Sequence, residues 1–221
     1  MWKFPSRFAA PFGLEPPHVG CYKIEPAGRR RSRDSIGVPF ARTMICSGMY
    51  TLPLNAKDQV LSLENAPPSS PGAPCPMVLA TEQTLCVIYY CFEPVDWDDS
   101  SPRSVELVSQ GELFAVATFS RHRAYYQGSP NDEAFSGHPL YEKGLRPYGA
   151  YEVTHSSWVR RLMEMNRVHP SHRDEVFAGC RHFVLSFHDS VFECVAGACS
   201  FEMGRGSILE AANDVLAKWV A

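Results

Sequence analysis

The clearest periodicity along the chain lies in its last third. Residues 182–188 place Phe183, Leu185 and Phe187 on one face and His182, Val184, Ser186 and His188 on the other, the period of two that marks a half-buried strand. Asp189 and Ser190 read as a turn, and residues 191–196 as the partner strand. A two-residue turn there sets Phe187 opposite Phe192, Leu185 opposite Cys194 and Ser186 opposite Glu193. One face of this predicted hairpin is apolar and the other gathers polar groups. Upstream, residues 77–80 and 85–92 are short apolar runs rich in Val, Ile and Tyr, separated by Thr81, Glu82, Gln83 and Thr84, which predicts a hairpin with a four-residue connection. Residues 113–119 and 148–153 are further apolar runs of strand length.

Helical spacing occurs twice. Trp158, Leu162 and Met165 recur at i, i+4 and i+7 behind the N-cap candidates Ser156 and Ser157, predicting a core-facing helix that His169-Pro170 ends. Ser207 and Glu210 have capping-box spacing, and Ile208, Ala212, Val215 and Trp219 then follow helical spacing to the end of the chain. Together these elements predict a single α+β domain over residues 44–221, mainly antiparallel sheet, with a C-terminal β-hairpin and two packed helices. Residues 1–43, rich in Pro, Gly and Arg, read as an N-terminal arm that is surface-lying or disordered. Residues 65–76 and 93–103 read as loops, the first because its prolines remove backbone donors.

Composition narrows the function classes. With 221 residues, 45% of them hydrophobic, the chain can bury one substantial core. Its formal charge of -3 supplies no field that would attract nucleic acid, so a nucleic-acid partner is not expected. No apolar run approaches the roughly 18 residues of a membrane span, so a membrane is not expected either. Pro5 and Pro11 interrupt the first residues, which lack the apolar core of a secretory signal; a cytoplasmic location and reduced thiols are expected. The Arg29, Arg30, Arg31 and Arg33 cluster reads as a solvated tail or a targeting arm. Cys86 and Cys91, and Cys194 and Cys199, share a metal-like spacing, but residues five apart on a strand face opposite ways, so neither pair chelates one ion.

Five groupings could carry chemistry. Residues 129–140 concentrate Asn131, Asp132, Glu133 and His138 among turn formers, suited to acid/base work or a hard cation, or simply to capping a short turn. The polar face of the hairpin offers His182, Ser186, His188, Asp189 and Glu193, where the carboxylate of Glu193 would orient His188. The ordinary alternative is a hydrogen-bonded strand end. The H-x-x-H of His169 and His172 reads as a solvated loop, and Arg121, His122 and Arg123 beside Tyr125 and Tyr126 as an exposed strand end. Residues 203–206, Met-Gly-Arg-Gly, read as a glycine-rich turn before the last helix, with an anion site as the alternative. Phosphate-loop, dinucleotide, zincin and nucleophile-elbow motifs are absent.

The expectation that follows is a His/Asp/Glu pocket for a small molecule or a divalent metal ion, with His188, Glu193, Asp132, Glu133 and His138 as acid/base candidates and His188, Glu193 and His138 as metal ligands. It requires the loop at 129–140 to fold over the hairpin. The competing expectation is a non-enzymatic interaction module whose exposed aromatics Trp97, Tyr125, Tyr126 and Tyr141 and basic N-terminal arm meet a protein partner.

Overall fold

Apolar residues at alternate positions turn strands toward one another from two directions, producing two antiparallel sheets packed face to face. A computed structural model of the chain describes residues 52, 56–73, 75–94 and 105–220; the expected arm over residues 1–43 and Trp97 lie outside them. Nine strands occur among the described residues: β1 Gln59–Ser62, β2 Met77–Ala80, β3 Thr84–Tyr90, β4 Glu112–Ser120, β5 Ala124–Gly128, β6 Ala150–Thr154, β7 Arg181–Ser186, β8 Val191–Ala196 and β9 Ala198–Gly206. One sheet has the order β1-β6-β7-β8-β5 and the other β2-β3-β4-β9. Three helices, α1 Ser157–Asn166, α2 Glu175–Ala178 and α3 Ile208–Val220, complete the α+β fold. None of them is long and apolar enough to cross a membrane.

The core has three parts. Between the sheets, Leu85, Val87 and Tyr89 of β3 and Ala115, Ala117 and Phe119 of β4 meet Phe183 and Leu185 of β7 and Phe192, Cys194 and Ala196 of β8. On the outer face of the four-stranded sheet, Cys86, Ile88 and Tyr90 pack against Ile208, Ala211, Ala212 and Val215 of α3. On the outer face of the five-stranded sheet, Val153, Val184, Val191 and Val195 are covered by Trp158 of α1 and by Phe135, Leu140 and Leu145 from the 129–148 segment. Strands β3, β7 and β8 are therefore buried on both faces.

Several predicted elements are present. Strands β2 and β3 pair with Ala80 opposite Leu85, so the turn falls within residues 81–84, of which Thr84 already belongs to β3. Helix α1 starts with Ser156 Oγ accepting from the Val159 amide at 3.2 Å. The capping box of α3 is formed, Glu210 N donating to Ser207 Oγ at 3.1 Å and Ser207 N to Glu210 Oε2 at 3.3 Å. Replacing the buried Ser207 with alanine is expected to remove about 1 kcal/mol of stability, read as a lowered midpoint in urea; an unchanged midpoint would show that α3 is held by packing alone.

Four predictions are corrected. The C-terminal hairpin turns at His188 and Asp189 rather than at Asp189 and Ser190: Phe187 N bonds Ser190 O at 2.9 Å, and Ser186 pairs with Val191. Moving the turn by one residue slides the pairing by two, so Glu193 lies opposite Val184 instead of Ser186. The strand at 182–188 is not half-buried, because His182 and Ser186 on its polar face are buried, as is Glu193 of its partner. Met165 of α1 is 57% exposed rather than core-facing. Residues 203–206 end the long strand β9 instead of forming the expected glycine-rich turn. Arg205 pairs with Glu93, and a Cβ on Gly204 would collide with the Phe114 ring on β4, so that glycine serves a close cross-strand contact.

Candidate functional site

Segment 129–148, between β5 and β6, folds over the outer face of β7 and β8 and brings polar side chains onto the hairpin. It does so at two separate places, one buried and one at the rim.

The buried place centres on Glu193 of β8. Its Oε2 lies 2.9 Å from His182 Nε2 and its Oε1 3.3 Å from His138 Nε2. The other nitrogen of each ring is engaged as well. Leu140 N donates to His138 Nδ1 at 3.1 Å, and Ser156 Oγ lies 3.0 Å from His182 Nδ1. Since His138 Nδ1 accepts, its proton in the neutral ring is on Nε2 and points at the carboxylate. The ionised Glu193 carboxylate can only accept, so His182 carries its proton on Nε2, and in the neutral ring Nδ1 accepts from the Ser156 hydroxyl. Burial opposes charge on Glu193, but the bonds from His138 and then His182 outweigh it and hold the carboxyl down at about 2. The Trp158 ring meets His182 edge-on with centroids 5.1 Å apart. This is a polar network with ordered donors and acceptors, sealed between sheet, helix and loop.

The rim place is formed by Asp132, Tyr148 and His188. His188 Nδ1 lies 3.0 Å from Asp132 Oδ2 and 3.0 Å from the Tyr148 hydroxyl. Tyr148 donates its proton to the same Asp132 oxygen. Asp132 N donates to His188 O at 2.8 Å, which ties the loop to the hairpin tip through the backbone. The Tyr148 bond, and after it the His188 bond, lower the Asp132 carboxyl below the usual range, whereas burial and the Asp132 carboxylate push the Tyr148 phenol up to about 12. Tyr148 has a φ of 61°, the left-handed region that non-glycine residues seldom occupy. Because Asp132 accepts from both neighbours, His188 carries its proton on Nδ1 when neutral, leaving the Nε2 lone pair free to act. The His188 side chain is 44% exposed, and Asp189 Oδ1 lies 3.9 Å from Nε2.

The five candidate residues thus divide. Asp132 meets His188, and His138 meets Glu193. The exposed Glu133 bonds Asp132 only through its own amide. The expected pairing of Glu193 with His188 is corrected: the two-residue slide of the hairpin carries Glu193 toward His182, and His188 takes Asp132 and Tyr148 instead. The expected metal ligands His188, Glu193 and His138 are split between the two places in the same way. Among the described residues no group of three or more His, Cys, Asp or Glu side chains could hold a metal ion. Tyr148 and Ser156 are the partners that sequence reasoning did not assign to a site, while His182 was named on the polar face of the hairpin but left out of the expected pocket. Only the helix N-cap pattern pointed at Ser156, and nothing local pointed at Tyr148.

The remaining candidates lie elsewhere. His172 and Asp174 form an exposed pair at 2.7 Å after α1. Tyr125 is exposed at the sheet edge, while Tyr126 and Tyr141 pack against the outer core. Burial pushes the Cys86 thiol up to about 11 and those of Cys91 and Cys199 to about 12, which disfavours the thiolate at these three positions. No family model, curated protein or solved structure matches the chain.

Proposed function

We propose that the protein binds a small polar molecule at the rim formed by His188, Asp132 and Tyr148, and that His188 Nε2 accepts and returns a proton there. One observation carries this reading: the imidazole is held through Nδ1 by an ionised carboxylate while its other nitrogen remains on a partly exposed edge. That arrangement sets one tautomer and orients one basic lone pair, as general acid/base chemistry requires. Two features support it. Tyr148 is held in an uncommon backbone conformation at the point where its hydroxyl completes the group, as strained residues at working sites are. Asp132 and His188 come from different elements and meet through side chain and backbone alike. The cysteines among the described residues are all free thiols, which supports a reducing compartment such as the cytoplasm.

The test is a ligand screen read at His188 itself. With ring nitrogens labelled, the natural protein and D132N are titrated with small carboxylates, phosphates, alcohols and amines, and the His188 imidazole resonances are followed. At least one class is expected to shift them in the natural protein and to do so far less in D132N. If all four classes leave His188 unmoved in the folded natural protein, the proposal is wrong. In the absence of any ligand, D132N is expected to reduce the ratio of the Nδ1–H to the Nε2–H tautomer by roughly tenfold, since a hydrogen bond to a charged acceptor is lost.

A further inference from the structure

The two polar places are joined by a continuous hydrogen-bonded run. Asp132 O accepts from Phe135 N at 3.3 Å, and Phe135 O accepts from His138 N at 2.9 Å. His138 O then accepts from Tyr141 N at 2.9 Å, and Arg146 Nη1 returns to Tyr141 O at 2.9 Å, two residues before Tyr148. The Phe135 and His138 rings stack with centroids 5.8 Å apart. His138 therefore stands between two 3-10 turns, Phe135–Gly137 and Tyr141–Lys143, with Asp132 at one end of the run and Tyr148 beyond the other.

We propose that the His138–Glu193 bond is a positioning clamp, setting where segment 129–148 lies on the hairpin and so holding Asp132 and Tyr148 against His188. The inference rests on the rim reading above and adds His138 and Glu193 to it as positioning residues. Apolar burial of Phe135, Leu140 and Leu145 holds the segment on the sheet, but such contacts are not directional and leave it able to shift or rotate. A charged acceptor on a fully buried strand is directional. Glu193 sits at a strand position fixed by pairing with Val184 on one side and Tyr126 on the other. Its bond to His138 defines one point of the segment, and the short turns carry that definition to Asp132, six residues away.

The experiment separates the two bonds that His138 makes. A glutamine amide nitrogen reaches about as far as imidazole Nε2, so H138Q keeps the bond to Glu193 and gives up the bond from Leu140 N. An asparagine amide oxygen reaches only to the place of Nδ1, so H138N keeps the Leu140 bond and loses Glu193. The readout is the tautomer ratio of neutral His188, with D132N as reference. H138Q is expected to retain the natural ratio, and H138N to shift it toward that of D132N by roughly tenfold. If both variants retain the ratio, or both lose it, the clamp is refuted: the first result shows that the segment needs no clamp, the second that the local turn at Leu140 is what matters. If D132N itself leaves the ratio unchanged, the rim reading fails, whatever the His138 variants do. Should H138N not fold, E193D takes its place; its charged but shorter side chain is expected to shift the ratio in the same direction, and a folded E193D with the natural ratio also refutes the clamp.

Discussion

Replacing Glu193 with alanine is expected to lower the free energy of unfolding by about 2–5 kcal/mol, since it takes this acceptor from two buried N–H donors at about 1–3 kcal/mol each. The substitution takes the carboxylate away from the N–H groups of His138 and His182 and leaves an empty space between β8 and segment 129–148. Both donors are buried, so water does not readily replace the lost acceptor. Urea unfolding at neutral pH measures the loss; a change below about 1 kcal/mol would show that the network is incidental to stability. The same carboxylate sets an acid limit. Its folded value, about 2, lies below its ordinary 4.5, so the unfolded chain takes up this proton first as the pH drops. The stabilisation from Glu193 is thus fully present above pH 4.5 and is lost as the pH falls from there toward 2. Over that window E193A should show a flatter dependence of stability on pH than the natural protein, and parallel curves would contradict the assignment.

A loss of similar size, about 3–5 kcal/mol, is expected from replacing Phe119 with alanine. Phe119 belongs to β4 in one sheet, and its ring meets Phe183 and Phe192 of the other at centroid distances of 5.9 and 5.2 Å. All three are almost completely buried. The substitution opens a cavity where the two sheets touch, and neighbouring strands cannot close on it without giving up their ladders. F119L, which fills most of that volume, should recover much of the loss. If F119A unfolds at the natural urea concentration, the sheets are not joined through this aromatic contact.

The elements that could be read from sequence are those set by neighbours close along the chain. Residues 77–90 form a hairpin whose connection is apparent because four polar residues separate two apolar runs. The α3 capping box depends on side chains three residues apart. Alternation placed Phe183 and Leu185 on one face of β7 and Phe192 and Cys194 on the same face of β8. Strands β1, β5 and β9 gave weaker signals. β1 has four residues, β5 follows a basic turn, and β9 is interrupted by Gly204 next to a ring that needs the space.

The candidate site shows the limit more sharply. Asp132, Glu133, His138, His188 and Glu193 were selected by residue type and loop context, which carry no information about which of them meet. His138 and Glu193 are 55 residues apart, and His188 and Asp132 are 56 apart. Tyr148 had no local pattern to mark it.

By itself, then, the sequence determined which residues lie in strands and helices where the period is clear, which side of each faces an apolar layer, and how the last helix starts. It also concentrated imidazoles and carboxylates in one loop and one hairpin. Only the tertiary structure decided which of them are partners. The reason is geometric: sliding a hairpin by two residues preserves every inward and outward face, so alternation is blind to it, yet it exchanges the neighbours of every side chain. That slide removed Glu193 from His188 and gave it to His182. A second, covered face on the five-stranded sheet was equally hidden, because polar residues alternating along a strand look the same whether water or a folded loop lies above them.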